Sequence, residues 1–177
     1  MRGMLADKYL PNFHYRTTHR TVIRADANRI WPLLDVQDFG NSWVIRLLFL
    51  LRGMPRRSTS AAGLRRIRFV RLEQIEGKEM LTGLIGQFWR PSGKLIAFDP
   101  KEFSLFDRPG FAKGTWSFEL LPMEDGSTNV VTETRVCCTD EVARKKFSRY
   151  WFFVKPFSGI VRREILKELK RKAESLH

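Results

Sequence analysis

Residues 149–166 read RYWFFVKPFSGIVRREIL, a run of aromatic and aliphatic side chains around one proline that passes into charged helix. Beyond Pro156, residues Phe157, Ile160, Val161, Ile165, Leu169, Ala173 and Leu176 recur at steps of three and four, with Arg162, Arg163, Lys167, Lys170 and Arg171 on the other side. That spacing is an amphipathic helix. Twenty residues of it would reach about 30 Å, enough to cross a domain. Pro fits a helix only in its first turn, so the pattern predicts one helix from an Asp140 cap through Tyr150 to Val154, then a restart or bend at Pro156. An apolar face of that length needs a sheet beneath it.

The preceding segments supply one. TNVVTETRVCC (128–138) and FAKGTWSFELL (111–121) have strand composition and flank the turn Glu124-Asp125-Gly126-Ser127. Ile67–Ile75 and Glu79–Trp89 flank Glu76-Gly77 and read as a hairpin. Lys94–Phe106, between turns at Arg90–Gly93 and Asp107–Gly110, reads as a further strand or pair, broken near Asp99-Pro100. Gly83 and Gly86 are spaced for sheet bends or for close approach of another group. Upstream, His14–Ala25 reads as a strand. Asp26 caps a helix over ANRIWPLLDV that Pro32 should kink or shorten. A second helix is expected over Asn41–Arg52, followed by a loop in MPRRSTSAAG (54–63). The order is β-α-α-β(5–6)-α: an α+β chain whose curved antiparallel sheet wraps the long C-terminal helix. It forms one domain, 1–177, with residues 1–12 as a flexible N-terminal segment.

The stretches that carry this order also resemble a family. ADANRIWPLLDVQDFGNSW is similar to the helical opening of the START-like, or SRPBCC, superfamily, which includes polyketide cyclases and dehydrases and the birch-pollen-allergen type. GLIGQFWRP, FDRPGFAKGTWSFEL, TETRVCCTDEVARKKFSRYW and KPFSGIVRREILKELKRKAE are similar to an uncharacterised bacterial branch of it. The resemblance runs from about Phe13 onward. It implies a helix-grip fold, with a cavity between sheet and terminal helix that often holds an apolar small molecule or lipid. No universal catalytic residue comes with it.

Composition narrows the rest. Cys137 and Cys138 are adjacent, point to opposite strand faces and have no metal-ligand spacing, which fits a reducing compartment. The start lacks the apolar core of a signal peptide, and the most apolar run, WVIRLLFLL (43–51), is far short of a membrane span. A cytoplasmic protein is the expectation. There is no phosphate-binding glycine loop, His14 and His19 fall on opposite faces of their strand, and no cofactor and no metal are expected.

Candidate site residues follow from parity. On TNVVTETRVCC, Thr132 and Thr134 share one face, while Val131, Glu133, Arg135 and Cys137 share the other. If the second set points inward, Arg135 could hold a ligand carboxylate or phosphate while Glu133 orients it or moves a proton; if outward, the two form an exposed pair. Trp116, Phe118, Phe88, Trp151, Phe157, Ile160 and Val161 complete the candidate cavity.

The net charge of +13 is concentrated in two places. Eight arginines between Arg46 and Arg71 have no acid among them, and from Glu141 onward eleven Lys or Arg face four Glu. The leading expectation is binding or carriage of an apolar small molecule or lipid with an acidic head. An enzyme of the cyclase, dehydrase or hydrolase kind is the alternative. A third reading is a peripheral binder of anionic membranes through the basic regions, with Trp43 and Leu47–Leu50 at the interface. Nucleic acid ranks last, because the aromatics are patterned as core.

Overall fold

The computed structural model describes residues 4–34, 69–90 and 92–175. The expected helix over Asn41–Arg52, the loop at 54–63 and most of the Arg46–Arg71 block lie outside the described residues. The main elements are helix α1 (Leu5–Tyr9), β1 (Tyr15–Ile23), α2 (Ala27–Ile30) running into a 3-10 turn (Trp31–Leu34), β2 (Val70–Ile75), β3 (Glu79–Gly86), β4 (Ala112–Pro122), β5 (Thr128–Cys138) and α3 (Glu141–Ser175). The strands form one antiparallel sheet in the order β1-β5-β4-β3-β2, and the whole is α+β.

Local chemistry sets the ends. Asp26 Oδ1 accepts the Arg29 amide at 3.1 Å and starts α2, and the helix gives way to the 3-10 turn where Pro32 lacks an N–H. Gly77 and Gly126 turn the two hairpins with φ of 68° and 79°, which a side chain would resist. Asp140 Oδ1 accepts the Ala143 amide at 2.6 Å and caps α3, while its other oxygen accepts the Gly110 amide. From there α3 runs unbroken for 35 residues, with Pro156 inside it. This differs from the expected restart at the proline. The helix is held on both sides of Pro156 by packing, and that outweighs the one bond the ring removes.

A second difference concerns Lys94–Phe106. It forms no strand beyond an isolated bridge of Ile96 to Ile85, so four strands, not five or six, follow α2 among the described residues. The segment instead lies over the sheet and drives Phe103 into it, fully buried. The third difference lies at the start of the chain. Residues expected to be flexible carry α1, whose Leu5 and Ala6 pack with Leu10, Leu72, Leu81, Ile85 and Phe103.

The sheet is therefore covered on both faces. On one face α3 and α2 close over Met80, Trp116, Phe118, Leu120 and Val130. On the other, α1 and the 96–106 segment close over Leu81 and Ile85. Gly83 and Gly86 lie where covering groups come closest. A Cβ on Gly83 would stand 2.9 Å from Leu72 Cδ1, and one on Gly86 would stand 2.7 Å from the Gly93 carbonyl oxygen.

Candidate functional site

Register assigns each predicted residue to a face. Trp116 pairs with Thr134, Phe118 with Thr132 and Leu120 with Val130, so these side chains share the α3 face. Ser117 pairs with Glu133 and Thr115 with Arg135, which places the acid and the base on the opposite face. The parity read from the sequence is right, and of the two facings left open for the charged pair the structure takes the one away from α3. Glu133 and Arg135 are 2% and 3% exposed all the same, because α1 lies over them.

What they build there is an ion network. Arg135 Nε donates to Glu133 Oε1 at 2.6 Å, Nη2 pairs with Asp7 Oδ1 at 2.7 Å, and Nη1 donates to the Leu10 carbonyl at 3.2 Å. The guanidinium also lies over the Phe13 ring, 4.8 Å from its centroid. Arg16 Nε and Thr18 Oγ1 donate to Glu133 Oε2 at 2.8 and 3.0 Å. Burial pushes the Glu133 carboxyl up, but bonds from Arg135 and Arg16 outweigh it and hold the group below the usual carboxylate range. Each nitrogen of the Arg135 guanidinium already has a protein acceptor. The pair fastens the N-terminal segment and leaves no open fork for a ligand.

The remaining predicted residues divide three ways. Trp116, Phe118 and Val161 enter the core under the C-terminal half of α3, and Phe88 and Trp151 join the cluster under its N-terminal half. Phe157 and Ile160, expected in a cavity, face away from the sheet and are 41% and 46% exposed. Exposed beside them is Phe153, one helical step of four from Phe157 and two turns from Ile160.

Between the two anchored halves, the sheet beneath α3 is largely polar. No residue of α3 from Ser148 to Ile160 is buried. The strand positions between the two clusters, on the α3 face, are Thr17, His19, Thr134, Thr132 and Thr82. Two of the hydroxyls are tied to the sheet: Trp116 Nε1 donates to Thr132 Oγ1 at 2.7 Å, which donates to the Ser117 carbonyl at 2.9 Å, and Thr82 Oγ1 donates to the Trp116 carbonyl at 3.0 Å. Trp116 is thereby fixed as a platform, with Phe69 edge-on at 5.5 Å.

Above that platform is a residue that the sequence pattern puts on the outer side. Arg162 faces the sheet, its guanidinium carbon 3.8 Å from the Trp116 ring centroid. Desolvation alone pulls its pKa down to about 9, and among the described residues no carboxylate pairs with it. His19 lies close by and is held below its usual value, first by burial and then by the charges of Arg162 and Arg163. A signal for Arg162 was present: it is in helical phase with Leu166, Leu169 and Ala173, all buried.

A cleft of about 630 Å³ opens elsewhere, between the tips of the β2–β3 and β4–β5 hairpins and the start of α2. None of the predicted site residues lines it, but Glu79 and Glu119 do. They are paired across strands, and burial raises both, Glu79 to about 7. The Leu5 amide donates to Glu79 Oε1 at 2.8 Å, so this carboxyl also serves to hold α1. Among the described residues no cluster of His, Cys, Asp or Glu could hold a metal ion. Among them too, no helix is long and apolar enough to cross a membrane.

No protein-family model matches the chain, and neither does any curated protein. Among solved structures, it is similar to the crystal structure of TTHA0849 from Thermus thermophilus, at 10% identity and a TM-score of 0.33 over 91% of this chain and 98% of that one.

Proposed function

We propose that the chain is a START-like, helix-grip carrier of an apolar molecule with an anionic head, bound between α3 and the sheet with its head on Arg162. One observation carries the reading: a cation faces the sheet over an aromatic platform, without an acidic partner among the described residues, just past the stretch of α3 that buries nothing. A half-buried charge with no acidic partner among the described residues favours a counter-charge that enters with a ligand. The threonine band sets hydroxyls on the face beneath α3, and the apolar clusters on either side suit a hydrocarbon or ring system. The resemblance of the sequence to START-like proteins supports the same reading. Enzymatic chemistry has less behind it, because the hydroxyls in the cleft with Glu79 and Glu119 are bonded elsewhere, Ser127 to Asp125 and Thr128 to the Ala25 carbonyl.

Titration of the protein with a fluorescent C18 fatty acid and with the matching alcohol tests the assignment. Arg162→Met is expected to weaken the acid by about tenfold, the value of one desolvated charge-assisted contact, and to leave the alcohol within about twofold. Its melting temperature should match or exceed that of the parent, since an unpaired charge has gone. Equal losses for acid and alcohol, or a protein that binds neither, would remove the reading.

A further inference from the structure

The side of α3 that faces away from the sheet poses a separate question. Phe152, Phe153, Phe157 and Ile160 are 78%, 69%, 41% and 46% exposed and form one patch around Pro156. The helix cannot roll to hide them, because Phe147 on one side of the patch and Val161 and Ile165 on the other are buried against the sheet. An exposed aromatic cluster that the anchored helix ends hold outward marks a contact surface. Its surroundings indicate what it contacts. Lys145, Arg149, Phe152, Pro156, Ile160, Arg163 and Lys167 follow one another at three- and four-residue steps along a single exposed ridge. From Val142 to Arg163, leaving out Arg162 on the sheet side, there are six Lys or Arg and no acid.

We infer that this ridge docks on an anionic lipid surface, with Phe152 and Phe153 inserted at the headgroup level and the cations at either end on lipid phosphates. The order is that of an interfacial helix: an apolar centre, basic ends, and a protein body anchored behind it. Each Lys or Arg near such a surface adds to the attraction, so several acting together hold a helix whose apolar patch is only two turns long. A second copy of the chain is a poorer occupant, because two such ridges of one sign repel. The observation is independent of Arg162, which faces the opposite way.

The test is co-sedimentation of the full chain with phosphatidylcholine vesicles, with and without about one third phosphatidylserine. Binding is expected to the mixed vesicles only and to fall as salt is raised. Phe152→Ser combined with Phe153→Ser should weaken it by about tenfold while leaving the circular dichroism spectrum intact, since both side chains are exposed. Arg162→Met should sediment like the parent, so failure of the ligand site and failure of this surface are separable. The inference is overturned if mixed vesicles do not bind at low salt, or if the double serine variant binds as the parent does. It is also overturned if sedimentation velocity reveals a dimer that the serines abolish, or if a single-stranded oligonucleotide binds where vesicles do not.

Discussion

Replacing Arg135 with Met is expected to destabilise the protein by about 3–5 kcal/mol, the usual consequence of leaving one member of a buried ion pair alone. Glu133, 2% exposed, would keep Arg16 and Thr18 but lose its bond to Arg135 Nε. Asp7 and the Leu10 carbonyl would lose their links to the sheet, which loosens α1 although its Leu5–Glu79 bond and apolar packing remain. Denaturant melts measure the loss, and limited proteolysis should find residues 4–12 cut early. The double replacement Glu133→Leu with Arg135→Met should recover most of the stability, because an apolar pair needs no compensation. Fatty-acid binding by that double variant should be unchanged, since the pair lies on the face away from Arg162. A stable single variant with a protected N-terminus would contradict the network.

The second large effect depends on pH. Burial holds the Glu79 carboxyl protonated up to about 7, against 4.5 for the free group. The folded state thus binds the extra proton between those values, and its stability falls as pH rises from 4.5 through 7 and then levels off. Glu79→Gln removes this dependence while keeping an oxygen for the Leu5 amide. The variant should match the parent near pH 5 and exceed it by about 2–3 kcal/mol at pH 8, since each tenfold change in proton affinity is worth about 1.36 kcal/mol and partial solvation takes some of it back. Paired melts at the two pH values check the sign. A variant that is less stable at pH 8 would mean that the carboxylate is held charged.

Strand parity and turn residues carried much of the fold. TNVVTETRVCC and FAKGTWSFELL became β5 and β4 in register, Glu76-Gly77 turned a hairpin, and Asp26 and Asp140 became caps. Alternation states which residues share a face, but not which cover lies over it. Because α1 and residues 96–106 close the second face, both sets of side chains on β5 are largely buried, and a buried charged pair can lie on the side away from α3, as Glu133 and Arg135 do. Phe103 hid in a segment that reads as strand because its apolar residues serve as plugs, not as a ladder. On α3, Phe157 and Ile160 look like core because they fall near Val161 at helical steps, and Arg162 looks like surface because of its charge. The helix reverses both: in a 3.6-residue repeat, adjacent positions turn by about 100°, and phase with Leu166 and Leu169 outranks residue type.

The gap in burial between Phe147 and Val161 gives α3 the character of a beam resting on two piers. Its span includes Pro156, which leaves the Phe152 carbonyl without its amide, and Gly159, which adds backbone freedom. Amide exchange should therefore run fastest at mid-span and slowest at the piers, and each pier can yield without the other. A molecule entering beneath the span would have to lift only one end.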